Sequence, residues 1–186
     1  MARDHHLDVM YGHPSVPCLG ENGTVTKVAT VCSDSLATPL GLLRLAATDS
    51  GLSGIHFPNR DLRPRKHRHS HPILEQTKRE LTAYFEGRLT RFTVPLCWKG
   101  TPFQEEVWTT LLAIPFGQTV SYADIASAVG RPKSARPVGG AVGRNPIPII
   151  VPCHRVVGSD KTLTGFTGGL RIKETLLKLE GFAISG

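Results

Sequence analysis

The stretch Ile147-Pro148-Ile149-Ile150-Val151-Pro152-Cys153-His154-Arg155-Val156 runs from an apolar segment into a cysteine, a histidine and an arginine. The apolar segment predicts a buried strand that holds Cys153 at its end. A thiol becomes a good nucleophile only on losing its proton, and nearby basic or cationic groups promote that loss. His154 and Arg155 are such groups. Free cysteine is also among the most buried residue types. On this stretch alone, a packed core thiol and a nucleophile fit equally well.

Upstream, helix signals crowd together. Thr101, Pro102 and Gln104 stand in the order of an N-cap, a first-turn proline and an N3 partner. Phe103, Val107, Trp108, Leu111 and Leu112 make an apolar stripe, and Pro115 and Gly117 end it. Ser121 caps a second helix with Asp124 at N3, and Gly130 stops it. Ser134 caps a third, from 135 to about 143. Two short helices across a tight turn outline a helix-turn-helix. The last helix reads Ala135, Arg136, Pro137, Val138, Gly139, Gly140, Ala141, with Gly143 at its end. Helical glycine costs roughly 1 kcal/mol relative to alanine, a cost that close approach of another backbone repays. That backbone belongs either to a packed helix or to DNA, and the lone Arg136 favours DNA.

Downstream, Gly158 to Lys161 form a turn, and residues 163–169 form a glycine-rich loop around Phe166. A final helix covers 170–180, with Ile172, Leu176, Leu177 and Leu179 apolar and Gly181 as its stop. Glu180 ends that helix, where the backbone dipole disfavours a negative charge. It shares a face with Lys173, Leu176 and Leu177, so it is either a solvated carboxylate or one held by a partner. His154 is the candidate, which makes a Glu–His–Cys chain.

The first half is less informative. Residues 1–33 are polar and aperiodic, and read as a flexible extension with a little strand near 25–31. Residues 34–97 form an α+β pattern: strands at 42–45 and 52–57 joined by the turn 48–51, a helix at 73–86, and a strand at 92–96. The loop 63–72 carries three alternating histidines among arginines and lysine. Cation repulsion there favours a solvated surface over a metal site. Residues 98–186 form the third segment.

The chain has 186 residues and a net charge of +7, which suits a polyanionic partner. No apolar run is long enough to span a bilayer, and no hydrophobic signal region follows the N-terminus, so a cytoplasmic protein without membrane contact is expected. The four cysteines form no closely spaced pair, which argues against zinc and a disulfide framework. All four are expected as free thiols.

These motifs together resemble the O6-alkylguanine-DNA alkyltransferases, also called methylated-DNA–protein-cysteine methyltransferases. The resemblance rests on Pro152 to Val156, Asn145-Pro146, Gly165 to Gly169, Phe116 to Tyr122 and Ala135 to Ala141, and runs from Phe103 to Gly181 without a gap. Before residue 100 it holds only in layout and in Thr38-Pro39-Leu40-Gly41. It implies an α+β chain: a small ribonuclease-H-like N-terminal sheet domain, then a mostly helical, winged-helix-like (helix-turn-helix) C-terminal domain.

The resemblance also implies a reaction. Cys153 takes the alkyl group from O6-alkylguanine in duplex DNA, irreversibly and once per molecule, after base flipping. O4-alkylthymine is a further candidate substrate. His154 acts as base through water, Glu180 orients His154, Asn145 braces the turn, and Tyr122 donates to the departing guanine. Arg136 fills the space left by the flipped nucleotide, and Ser134, Ala135, Gly139, Gly140 and Tyr122 meet the DNA. Val156, Leu163, Phe166, Thr167 and Gly168 line the base pocket. No cofactor or metal is implied, since Cys18 and Cys32 do not match the zinc ligands of some relatives. The expected state is a monomer, with clustering on DNA as an addition. Pro137 departs from the alanine common in the family. A non-enzymatic DNA-binding relative would lack the reactive cysteine, and a cysteine hydrolase would not place its histidine directly after the nucleophile.

Overall fold

The structure, a computed structural model, describes residues 31–58 and 71–182. Residues 1–30 of the extension, all but the last residue of the strand expected near 25–31, and most of the basic loop lie outside these residues; Cys32 and Ser33, expected in the extension, belong instead to the first strand.

Three antiparallel strands open the described chain: β1 (Cys32–Thr38), β2 (Gly41–Thr48) and β3 (Gly51–His56), in that spatial order. Alternation in β2 puts Leu43, Leu45 and Ala47 on the buried face. Helix α1 (Pro72–Phe85) covers that face with Leu74, Thr77, Leu81 and Tyr84. Strand β1 has no counterpart in the sequence pattern. Its residues, Cys-Ser-Asp-Ser-Leu-Ala-Thr, are mostly small and polar, and backbone pairing with β2 holds it in register.

The strand expected at 92–96 does not form. Phe92, Val94 and Leu96 do alternate into the core. The Glu80 carboxylate, however, accepts from the Thr93 and Val94 amides at 2.8 and 3.2 Å, taking the place of a strand neighbour. One isolated bridge, Leu52 to Leu96, is what remains.

Helix α2 (Pro102–Leu111) starts on the expected capping box: Gln104 N donates to the Thr101 hydroxyl and Thr101 N to the Gln104 side chain. It ends before Pro115, because the amides of Leu112, Ala113 and Ile114 tighten onto carbonyls three residues back. A short strand β4 (Val120–Ser121) leads into α3 (Tyr122–Ala128), capped by Ser121 and Asp124. Gly130 then adopts φ 67°, a conformation open to glycine at little cost. Helix α4 (Ala135–Val142) follows, packed on α2 and α3. The Trp108 indole donates to the Ala141 carbonyl at 2.9 Å and fixes α4 on α2. Ser134 does not cap α4; its side chain accepts no cap hydrogen bond.

Segment 147–151 is not a strand. Prolines at 146, 148 and 152 cannot donate to a ladder, and the chain turns instead. Cys153 opens a 3-10 turn, Cys153–Arg155, followed by β5 (Val156–Val157), parallel to β4. Helix α5 (Leu170–Leu179) closes the chain. This is the two-part architecture expected from the sequence: a small sheet domain, then a helical domain with a helix-turn-helix at α3 and α4.

Candidate active site

The turn leading to Cys153 carries strain. Ile149, buried and β-branched, has φ 78°, where such residues are outliers. Asn145 holds the turn closed. Its Nδ2 donates to the Val151 carbonyl at 2.8 Å, and its Oδ1 accepts from the Ile147 amide at 3.0 Å. Thus one side chain satisfies two buried backbone groups on either side of the strained residue.

Cys153 is 4% exposed. Burial pushes its thiol up to about 11, although the Asn145 hydrogen bond and the Lys173 charge pull the other way. His154 is fully buried, with Nε2 2.8 Å from Glu180 Oε1. Burial lowers the imidazole pKa, outweighing the Glu180 carboxylate beside it. An ionised carboxylate can only accept, so the neutral ring carries its proton on Nε2. Nδ1 then holds the free lone pair, and it has no hydrogen-bond partner among the described residues.

Glu180 is the hub of the site. Oε1 accepts from His154, from the Tyr84 hydroxyl at 2.8 Å and from Arg155 Nη2 at 2.9 Å. Oε2 accepts from Arg155 Nε at 2.8 Å and the Gly117 amide at 3.2 Å. Burial works to raise its pKa, but the bonds from His154 and Arg155 win and hold the carboxyl at about 2. Arg155 Nη1 also donates to the Ile114 carbonyl at 2.6 Å. These donors answer the problem posed by a carboxylate at a helix C-terminus.

Lys173 lies on the buried face of α5, fully covered. Its Nζ donates to the Val156 carbonyl at 2.5 Å and the Thr164 carbonyl at 2.7 Å. Burial lowers its pKa to about 8, while the Cys153 thiolate favours its charge. Lys173 and Tyr84 escaped the sequence reading as site residues, and Arg155, expected to activate the thiol, holds Glu180 and the Ile114 carbonyl instead. A lysine at a core position of an amphipathic helix was a usable signal. Tyr84 gave none, because it looks like ordinary α1 core.

Tyr122 opens α3 and is half-buried. Its hydroxyl donates to the Thr164 carbonyl at 3.3 Å, and burial raises its pKa. Of the expected pocket residues, Val156 is fully buried, Leu163, Phe166 and Gly168 are partly covered, and Thr167 is exposed. The Thr167 hydroxyl donates to the Gly143 carbonyl at the end of α4 at 2.8 Å. A cavity of about 210 Å³ is bordered by Ile150, Pro152 and Arg155 rather than by Cys153.

Arg136 is exposed on α4, with Ser134, Ala135, Gly139 and Gly140 partly exposed around it. Packing does not demand the α4 glycines. A Cβ on Gly139 would meet Tyr122 at an ordinary 3.7 Å, and one on Gly140 would meet only the flexible end of Arg144, at 3.3 Å. Close packing against a neighbouring helix therefore does not explain them.

Cys32 and Cys153 are free thiols, but Cys97 is disulfide-bonded, against the expectation of four free thiols. Among the described residues, no group of three or more His, Cys, Asp or Glu is placed to hold a metal ion. No helix among them is long and apolar enough to cross a membrane.

Comparison with known proteins agrees with this layout. Residues 102–182 match the family model described as 6-O-methylguanine DNA methyltransferase, DNA binding domain, and residues 32–97 match that of its ribonuclease-like domain. The chain is 44% identical over 150 residues to a methylated-DNA–protein-cysteine methyltransferase of Methanosarcina barkeri, covering 79% of this chain and 95% of that one. Identity to the Mycobacterium tuberculosis protein of the same name is 45% over 148 residues, covering 78% and 90%. A crystal structure of Mycobacterium tuberculosis OGT in complex with DNA aligns with a TM-score of 0.72 at 43% identity, covering 80% of this chain and 91% of that one.

Proposed function

We infer the roles within the site from one premise: the chain belongs to the 6-O-methylguanine DNA methyltransferase family. It is a DNA-repair protein that transfers the alkyl group of O6-alkylguanine in DNA to a cysteine of its own. Its partner is DNA.

The acceptor is Cys153. At a pKa of about 11 the resting thiol holds its proton, so a base must take it during the reaction. His154 is that base, acting through a water molecule between the thiol and Nδ1. One observation carries this reading: a buried, neutral imidazole whose Nε2 is committed to Glu180 and whose Nδ1 is unpartnered. Glu180 fixes the tautomer and stabilises the imidazolium that forms. Lys173 supplies the positive charge that offsets the thiolate as it develops.

The sulfur attacks the alkyl carbon, and the carbon–O6 bond breaks with its electron pair going to the guanine oxygen. Tyr122 donates a hydrogen bond or proton to the departing base. The product is a thioether, which no group here can reverse, so each molecule reacts once.

A base stacked in a duplex hides its O6 edge from Cys153, so the nucleotide must leave the stack at a cost of a few kcal/mol. Arg136 fills the gap. The small face of α4 around Ala135, Gly139 and Gly140 lies along the minor groove, and Ser134 meets the adjoining backbone. Pro137 stands in the first turn, where its missing amide costs nothing. Val156, Leu163, Phe166, Thr167 and Gly168 shape the base pocket, which is open in principle to O4-alkylthymine as well. The relay is complete within one chain, so a monomer suffices for the transfer, and a reducing compartment such as the cytoplasm keeps the Cys153 thiol available. The test is alkyl transfer by Cys153→Ala. Complete loss supports the assignment; retained transfer overturns it.

A further inference from the structure

The loop 163–169 is tied down at its backbone from several sides. The Thr164 carbonyl accepts from Lys173 and Tyr122, and Thr167 donates to Gly143. None of these bonds fixes the Phe166 ring. A ring that lies against it comes from the other domain. Strand β3 ends at His56, and the next residue, Phe57, leaves the sheet towards the loop. The Phe57 and Phe166 centroids are 5.4 Å apart, with the rings tilted by 56°. Gly168 lies between them. A Cβ there would meet Phe57 Cδ2 at 2.7 Å and Phe166 Cε1 at 3.0 Å. Two rings and a glycine thus form a wedge with no spare volume.

The sheet edge is itself anchored beside the active-site turn, since the Ile55 amide donates to the Pro146 carbonyl at 2.9 Å. Phe57 therefore reaches the loop from a fixed base only two residues away. Close-packed groups of this kind pass a change in one ring's volume to the other.

We propose that Phe57 is a specificity-determining residue: from the N-terminal sheet domain it holds the Phe166 ring and so limits the size of the O6 substituent that fits beside Cys153. This rests on the reading of Phe166 as a wall of the base pocket. With a smaller side chain at 57, the Phe166 ring gains room to swing outward, and a bulky substituent gains more than a methyl group.

The experiment compares single-turnover transfer from O6-methylguanine and O6-benzylguanine in one duplex, for the unsubstituted protein, Phe57→Leu and Phe57→Ala. The benzyl-to-methyl rate ratio is expected to rise about tenfold in Phe57→Ala and by less in Phe57→Leu, with duplex affinity unchanged. An unchanged or lower ratio, or equal slowing of both reactions, overturns the proposal and leaves Phe57 a packing residue. Where Phe57→Ala does not fold, Phe57→Leu decides by the same ratio. The unsubstituted protein separates the two levels: its failure to alkylate Cys153 overturns the proposed function itself.

Discussion

The Tyr84 hydroxyl donates to the Glu180 carboxylate at 2.8 Å across 96 residues of chain, from the helix of the sheet domain to the end of the last helix. The hydroxyl is one of five donors on that carboxylate. The sheet domain therefore takes part in holding the relay, besides packing against it. Tyr84→Phe keeps the ring and removes this charge-assisted bond. Denaturant unfolding should show a loss of about 2 kcal/mol, with methyl transfer slowed less than in Glu180→Gln.

Acid should loosen the same hub. The Glu180 carboxyl lies at about 2 when folded, against 4.5 for a free glutamate. The unfolded chain binds the proton more readily, so the contribution of Glu180 is complete above pH 4.5. It is lost as pH falls from about 4.5 towards 2. Urea midpoints measured across that range should fall, and Glu180→Gln should flatten the slope.

The fold was legible where local chemistry settles local structure. The capping boxes at Thr101 and Ser121 start α2 and α3 where the sequence says they should, and the pairing of His154 with Glu180 followed from a carboxylate with no obvious partner at a helix end. Tertiary competition hid the rest. Glu80 took the amides that would have made residues 92–96 a strand, and prolines turned 147–151 away from one. Arg155 looked like an activating cation, yet its guanidinium is spent on Glu180 and Ile114. No pattern in α1 distinguishes Tyr84 from the core residues around it.

Cys153 and Lys173 titrate against each other. Reaction of Cys153 with a small electrophile should follow a pKa of about 11. Below about pH 8, where Lys173 is charged, its ammonium favours the thiolate, so Lys173→Met should slow that reaction there. Lys173 itself leaves a signature in stability. Its folded pKa, about 8, lies below the ordinary 10.5. Between those values the unfolded chain binds more protons, so this group makes stability rise with pH from about 8 to 10.5. Lys173→Met should remove that rise from the unfolding curves.

Arg136 is placed for the duplex and not for the chemistry. Arg136→Ala should slow transfer from duplex DNA by more than tenfold, roughly the worth of a few kcal/mol of flipping cost, while reaction with free O6-benzylguanine base changes little. Stopped-flow transfer rates with both substrates measure this. Equal slowing of the two would remove Arg136 from any role in extruding the base.

The central claim is that Cys153 is a single-use alkyl acceptor. Peptide mass spectrometry after incubation with excess duplex containing O6-methylguanine tests it most directly. The expected result is one methyl group per molecule, on the peptide holding Cys153, with no further reaction once it is filled. Methyl on any other residue, or more guanine repaired than protein present, would contradict it.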